Sequence, residues 1–355
     1  MPQQSPIRQP VPAPSGRVAP LPEPAPSRRA ALSLAAGALL GSCTNPARDA
    51  RTIKIGAMQP GTSWYVFGVT LAELLGGELG DRIVEVVPRG GGVGNPILVS
   101  RGDATVALAQ AATSAWAFDG DRIAFGGVAH PRLRAILGGL NSVWMSAMLR
   151  EEYIRRTGND TLEKALLGNP PARIVVKPAG STIPVLMDIL LAALGSSRAD
   201  LRARGGSVAQ VGASQIASLL RDGFADLYFE GAIRGHPTMT EITSTAEVRF
   251  LELPETVLRR ISRPGVTPGV LPKWFPRQHA PLRSVDMGTV LICRDDLPAD
   301  TAALIARVVC EHRERIVSAH KAWLDFRPEQ AGAIENTGIP LHPGAAEYLR
   351  GRGWA

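Results

Sequence analysis

Three short segments of this chain combine glycine with hydroxyl or amide side chains just before an apolar run. They are Gly61-Thr62-Ser63, Gly90-Gly91-Gly92 with Asn95, and Gly180-Ser181-Thr182. A glycine-rich turn entering a helix presents backbone N–H groups with no intrahelical partner at the positive end of the helix dipole, a place that favours an anion. None of the three is a P-loop, because no Gly-Lys-Ser/Thr follows, and residues 90–95 miss the third glycine of a dinucleotide fingerprint. Each alone is equally a tight turn with a helix cap. Three of them at the C-terminal ends of strands describe the place where open parallel sheets bind ligands. Catalysis would need a nucleophile and a base close together. Ser181, Asp188 and Glu230 have no histidine beside them in the pattern, His236 being the nearest, so the expectation is a binding protein and not an enzyme. His312 and His320 lie in one helical pattern without a carboxylate or cysteine to complete a ligand set, so neither metal nor cofactor is expected.

The elements that must position these loops follow from periodicity. Residues 52–56 read as a strand, followed by a helix from Trp64 to Leu75 that Gly76-Gly77 would stop. Residues 82–88 read as a buried strand, then a helix opens near Pro96, and 104–110 form a third strand. The pattern returns at 173–177 (strand), 185–194 (helix), 213–221 (helix) and 225–229 (strand). The last third holds a strand over 284–294 and a long helix over 298–323. Alternation of this kind implies parallel sheets covered by helices, in two similar lobes. The expected division is residues 51–149 plus 284–355 for lobe I and 150–283 for lobe II, with a cleft between them for a small anion.

The chain has 355 residues, enough for two cores, with 45% hydrophobic and 5% aromatic residues. Its net charge is +7, but Arg8, Arg17, Arg28 and Arg29 against Glu23 place +3 of it before residue 43, leaving a body of +4. The remaining basic residues are scattered, which argues against nucleic acid as a partner. Nine of the 29 prolines fall within residues 1–26, a stretch that can neither propagate a helix nor pair as a strand. Arg28-Arg29 then precedes a short apolar run ending in Leu40-Gly41-Ser42-Cys43, the form of an export signal. Residues 1–43 are therefore expected to be a proline-rich prefix and address. The run resembles a bacterial lipobox with Cys43 lipidated for membrane attachment, and Arg28-Arg29 resembles a twin-arginine signal. Cys293 and Cys310 read as two buried thiols, with a disulfide as the alternative.

The body also carries a family resemblance. Residues 61–68 (G-T-S-W-Y-V-F-G), 90–95 (G-G-G-V-G-N) and 178–182 (P-A-G-S-T) resemble, in order, motifs of the TAXI solute receptors of tripartite (TRAP) transporters. So do F-A-D-L-Y-F at 224–229 with G-H-P-T at 235–238, and 339–348 (I-P-L-H-P-G-A-A-E-Y). One departure is Gly92, which stands where the family usually has serine. The resemblance implies an α/β, two-lobed periplasmic-binding-protein fold of type II. It implies a lipid-anchored periplasmic receptor that hands a small carboxylate, of the glutamate or dicarboxylate kind, to a TRAP-type permease. A sensory or assembly lipoprotein of the same fold is the alternative. The ligand-binding positions it implies are Ser63, Trp64, Tyr65, Gly91, Gly92, Gln110, Gly180, Ser181 and Thr182. Arg89, Lys177 and Arg234 could add charge-assisted contacts, or could be solvated loop cations.

Overall fold

The computed structural model describes residues 52–354 except Asp81 and Ser262; the prefix, the export segment and Cys43 lie outside the described residues. Two twisted sheets organise the body. The first has the order β2-β1-β3-β12-β4, built from β1 (Thr52–Gly56), β2 (Ile83–Val87), β3 (Val106–Gln110), β4 (Leu133–Leu137) and β12 (Thr289–Arg294). Strands β2, β1 and β3 run parallel, as helical crossovers require, and β12 enters antiparallel between β3 and β4. The second sheet has the order β10-β11-β5-β8-β6-β7, with β9 (Val248–Leu251) also paired to β5. Its members are β5 (Trp144–Arg150), β6 (Arg173–Val176), β7 (Ser207–Gln210), β8 (Leu227–Ala232), β10 (Thr267–Leu271) and β11 (Leu282–Asp286). Here β7, β6 and β8 are parallel, and β5 turns the sheet antiparallel against β8.

The chain changes sheet twice. Strand β5, expected in lobe I, pairs wholly within the second sheet, so the first change falls between Leu137 and Trp144. The expected single strand over 284–294 is two strands, β11 and β12, separated at Met287-Gly288, where Gly288 has φ +56. The backbone must turn there to leave one sheet for the other, and the left-handed conformation does so without a Cβ penalty. The two crossovers lie side by side. Val143 donates to the Asp286 carboxylate at 2.7 Å, Met287 to the Val143 carbonyl at 3.0 Å and Thr289 to the Asn141 carbonyl at 2.9 Å. Two paired strands joining two lobes are the place where a hinge can act.

Helix α1 (Ser63–Glu78) buries Phe67, Leu71, Leu74 and Leu75 at helical spacing against the first sheet. The Phe67 ring meets the Trp323 ring edgewise at 4.7 Å, a contact worth about 1 kcal/mol beyond the area it buries. The helix runs through Gly76-Gly77, where it was expected to stop; neither glycine has a neighbour a Cβ would meet, so no packing opposes continuation. Strand β2 is half exposed, not buried, because it forms the edge of its sheet. The remaining helices that matter below are α2 (Gly94–Arg101), α3 (Ala111–Asp119), α4 (Thr182–Ala193), α5 (Pro237–Thr245) and α6 (Ala299–Glu311). The expected long helix over 298–323 stops at His312, whose ring nitrogen bonds the Val308 carbonyl at 3.0 Å. A separate turn of helix, α7 (Arg313–Ala319), follows. Cys293 and Cys310 are both buried and unpaired, and burial pushes the Cys310 thiol up to about 12. No helix among the described residues is long and apolar enough to cross a membrane.

Candidate functional site

The strand ends of the two sheets face one another across a cavity of about 50 Å³. From the first lobe it is lined by Met58, Thr62, Ser63, Trp64, Gly92 and Gln110, with Val143 at the crossover. From the second it is lined by Lys177, Ser181, Thr182, Ile183, Glu230, Gly231, Ile233 and His236. Two long helices begin at its wall. In α1 the Thr62 hydroxyl caps the Tyr65 amide, so residues 63 and 64 carry first-turn N–H groups without intrahelical acceptors. In α4 the cap is Ser181, whose hydroxyl makes no capping bond, leaving that turn uncapped by its own side chain. Each such helix end carries roughly half an elementary positive charge. Helix α3 starts at the same wall, directly after Gln110.

Ser63 is 5% exposed, and its hydroxyl is buried with no hydrogen-bond partner in the protein. A buried hydroxyl left unpaired costs on the order of 1–3 kcal/mol. Placed on the cavity wall, it is a donor waiting for an acceptor that the protein does not supply.

Opposite lies a buried charged cluster. The Lys177 ammonium is 2.7 Å from Glu230, His236 Nε2 is 3.4 Å from the same carboxylate, and Tyr228 donates its hydroxyl to it. The Gly231 amide donates to the other carboxylate oxygen at 2.7 Å. Burial alone would raise the Glu230 carboxyl, but Lys177 and then His236 pull it well below the usual carboxylate range. Burial lowers His236 against the opposing pull of Glu230, which keeps the ring neutral. Its Nδ1 accepts from the Met239 amide at 3.3 Å, so Nε2 carries the proton and donates to Glu230. The cluster is therefore one cation and one anion held in a fixed geometry.

The lobes are clasped over this cavity. Val93 and Gly94 both donate backbone N–H groups to the Gly180 carbonyl at 3.0 Å, and Thr182 bonds the Gln110 side chain. The glycines make the approach close enough. A Cβ on Gly91 would lie 2.6 Å from the Gly180 carbonyl oxygen, and one on Gly92 would lie 1.8 Å from the Thr182 hydroxyl. Gly92 thus stands at a spot where the Thr182–Gln110 pair fills the space of a side chain. Beneath the loop, Asn95 is fully buried, donates to the Leu108 carbonyl at 2.6 Å and occupies the volume a Gly90 side chain would need. Farther out, Arg263 reaches from the second lobe to Asp121 and lies over the Trp116 ring at 5.2 Å, while Arg234 meets Asp325 at 3.2 Å.

Of the residues singled out in the sequence, Ser63, Trp64, Gly92, Gln110, Ser181, Thr182 and Lys177 line the cavity. Gly91 and Gly180 lie in the clasp between lobes instead. Tyr65 is half-buried on α1 and off the cavity wall, Arg89 is exposed on the loop after β2, and Arg234 is engaged by Asp325 and stacked 5.3 Å from Trp274. His236 and Glu230, considered in the sequence only as a poor catalytic pair, belong to the wall, and the apolar Met58, Val143, Ile183 and Ile233 were not anticipated.

A family model described as the NMT1-like family matches residues 55–353. Among solved structures the chain is similar to MatC from Rhodopseudomonas palustris with bound malate, at 13% identity and a TM-score of 0.50, covering 86% of this chain and 97% of that one. It is also similar to the periplasmic aliphatic sulphonate binding protein SsuA from Escherichia coli, at 12% identity and a TM-score of 0.43, covering 84% and 78%. A protein from Bordetella bronchiseptica RB50 aligns at 14% identity and a TM-score of 0.47, covering 85% and 89%. Comparison with curated proteins found no match. At 13% identity the likeness to MatC shows the fold, which is the two-lobed α/β architecture of periplasmic binding proteins.

Proposed function

The chain belongs to the NMT1-like family, and from that premise we propose that it is an extracytoplasmic solute receptor that closes its lobes on a small organic anion. The observation that carries this reading is the unpartnered Ser63 hydroxyl at the start of α1, on the wall of a cavity that the start of α4 also lines. Helix dipoles, first-turn amides and a buried donor all favour a carboxylate there. MatC, a protein of similar fold, holds malate. The resemblance to TAXI receptors makes a TRAP-type permease the recipient, with Cys43 lipidated and the receptor held at the outer face of the inner membrane. Ligand release then requires the permease to favour the open state.

The reading is non-catalytic. Both ring nitrogens of His236 are committed, one to the Met239 amide and one to Glu230, so neither is free to take a proton from Ser63 or Ser181. The test is a thermal-shift screen of purified, ligand-stripped protein against carboxylates, sulfonates and neutral sugars. Carboxylates should raise the melting temperature in proportion to the logarithm of their concentration. A rise with sugars alone, or with nothing, refutes the proposal.

A further inference from the structure

Helices α1, α3, α4 and α5 all begin at the cavity wall, and three of these starts hold a side-chain bond of their own. Thr62 bonds the Tyr65 amide at α1, His236 bonds the Met239 amide at α5, and Thr113 bonds back to Gln110 at α3. The start of α4 is different. A serine cap ordinarily accepts from the second or third helical amide. Here the third position is Pro184, which has no N–H, and Ser181 makes no capping bond to the second. The Ser181 hydroxyl and the Thr182 and Ile183 amides are therefore left open on the cavity wall.

A charged donor stands on the same connection. Lys177 directly follows β6, lines the cavity and is only 7% exposed. An ammonium carries three donors, and Glu230 at 2.7 Å is its one ion-pair partner among the described residues. Glu230 is also held from elsewhere, because the Tyr228 hydroxyl, the Gly231 amide and His236 Nε2 all turn to its carboxylate. Three partners besides Lys177 thus fix the carboxylate, and the ammonium it anchors keeps donors to spend. A buried cation with open donors is costly unless an acceptor meets it.

On the premise that this cavity is the anion site proposed above, we infer that Lys177 is the residue that selects an ionised ligand. It donates to the ligand's anionic group from the second lobe, beside the open start of α4, as Ser63 does from the first. Glu230 is a positioning residue that acts on the ligand through the lysine: it fixes where the ammonium stands and offsets part of its charge. The class that follows is an ionised carboxylate over the uncharged amide of the same acid.

Titration calorimetry of the ligand-stripped full chain with malate, succinate, glutamate and lactate selects the tightest-binding acid as the probe. Silence from all four overturns the anion reading and this inference with it. The probe is then titrated into Glu230→Gln and into the double variant Lys177→Met with Glu230→Gln, each checked for folding by circular dichroism. Glu230→Gln keeps an acceptor for the ammonium and removes the offsetting charge, so it should bind the acid at least threefold more tightly than the unaltered chain. The double variant replaces both charges by neutral groups of similar shape and should bind it at least tenfold more weakly than Glu230→Gln. The fully amidated form of the acid should respond to neither change. Equal binding of the acid by the two variants, weaker binding by Glu230→Gln, or equal losses for acid and amide overturns the inference while leaving the receptor reading intact. Should the variants fail to fold, the unaltered chain labelled with nitrogen-15 lysine decides. The Lys177 ammonium resonance should shift at a saturating concentration of the acid, and a resonance unmoved at saturation overturns the role given to Lys177.

Discussion

Replacing Ser63 by alanine separates a ligand-binding hydroxyl from a structural one. Because the hydroxyl has no partner in the protein, its removal breaks nothing in the ligand-free fold. The helix keeps its start, since the capping hydroxyl belongs to Thr62 and alanine is favourable within the first turn. Removing the unpaired buried hydroxyl also lifts its desolvation cost, so ligand-free stability should hold or rise, by up to about 1–3 kcal/mol. Binding should suffer. A hydrogen bond to a charged acceptor contributes about 1.5–3 kcal/mol, which raises Kd by roughly ten- to hundredfold. Calorimetry with the acid that most stabilises the unaltered protein gives the affinity, and urea unfolding without ligand gives the stability. An unchanged Kd, or a loss of stability above about 1.5 kcal/mol with Kd intact, refutes the placement of the anion at the start of α1.

Other expectations rest on separate contacts. Gly92→Ser, which restores the residue the resembled family usually carries, should weaken binding at least tenfold by calorimetry. Its Cβ meets the Thr182 hydroxyl, so the lobes cannot reach the same closure, although the fold melts normally. Arg263→Ala removes the link to Asp121 outside the cavity and should speed ligand dissociation several-fold in stopped-flow measurements. Asp226→Asn strips charge from a carboxylate that Arg173 grips with bonds of 2.7 and 2.8 Å and should cost about 2 kcal/mol in urea unfolding. That is less than for a fully buried pair, because the Arg173 side chain is 40% exposed. Burial lowers His320 to about 4, so the unfolded chain takes up its proton before the native one does. Stability should fall as pH drops from about 6.5 toward 4, by about 1–2 kcal/mol from this group, less than the full shift because the ring is partly exposed to screening solvent, and His320→Gln should flatten that slope.

The loops were legible because their signals are local. Glycine before Thr62-Ser63 or Ser181-Thr182 marks a helix start whatever the rest of the chain does, and both starts reach the cavity. The charged wall was not legible, because it is made by register. Strands β6 and β8 pair Ile174 with Leu227 and Val175 with Tyr228. The same offset puts Arg173 beside Asp226 at one end and Lys177 beside Glu230 at the other. Only a sequence reader who already knew that pairing could have seen two ion pairs pinning one strand pair. Gly91 and Gly180 show the opposite limit. Their type was informative, but a glycine that admits a ligand and one that admits another backbone look alike in sequence. The passages between sheets, at residues 138–143 and 287–288, could be placed in the sequence only to within several residues, for a third reason: an apolar run does not record which sheet it joins.

The most direct test of the central claim is hydrogen–deuterium exchange of the ligand-stripped chain, with and without a saturating carboxylate. The account predicts slowed exchange at the first turns of α1 and α4, at residues 63–66 and 182–185, and at the clasp over residues 91–94. Slowed exchange confined to other surfaces, with these amides unchanged at saturation, would contradict it.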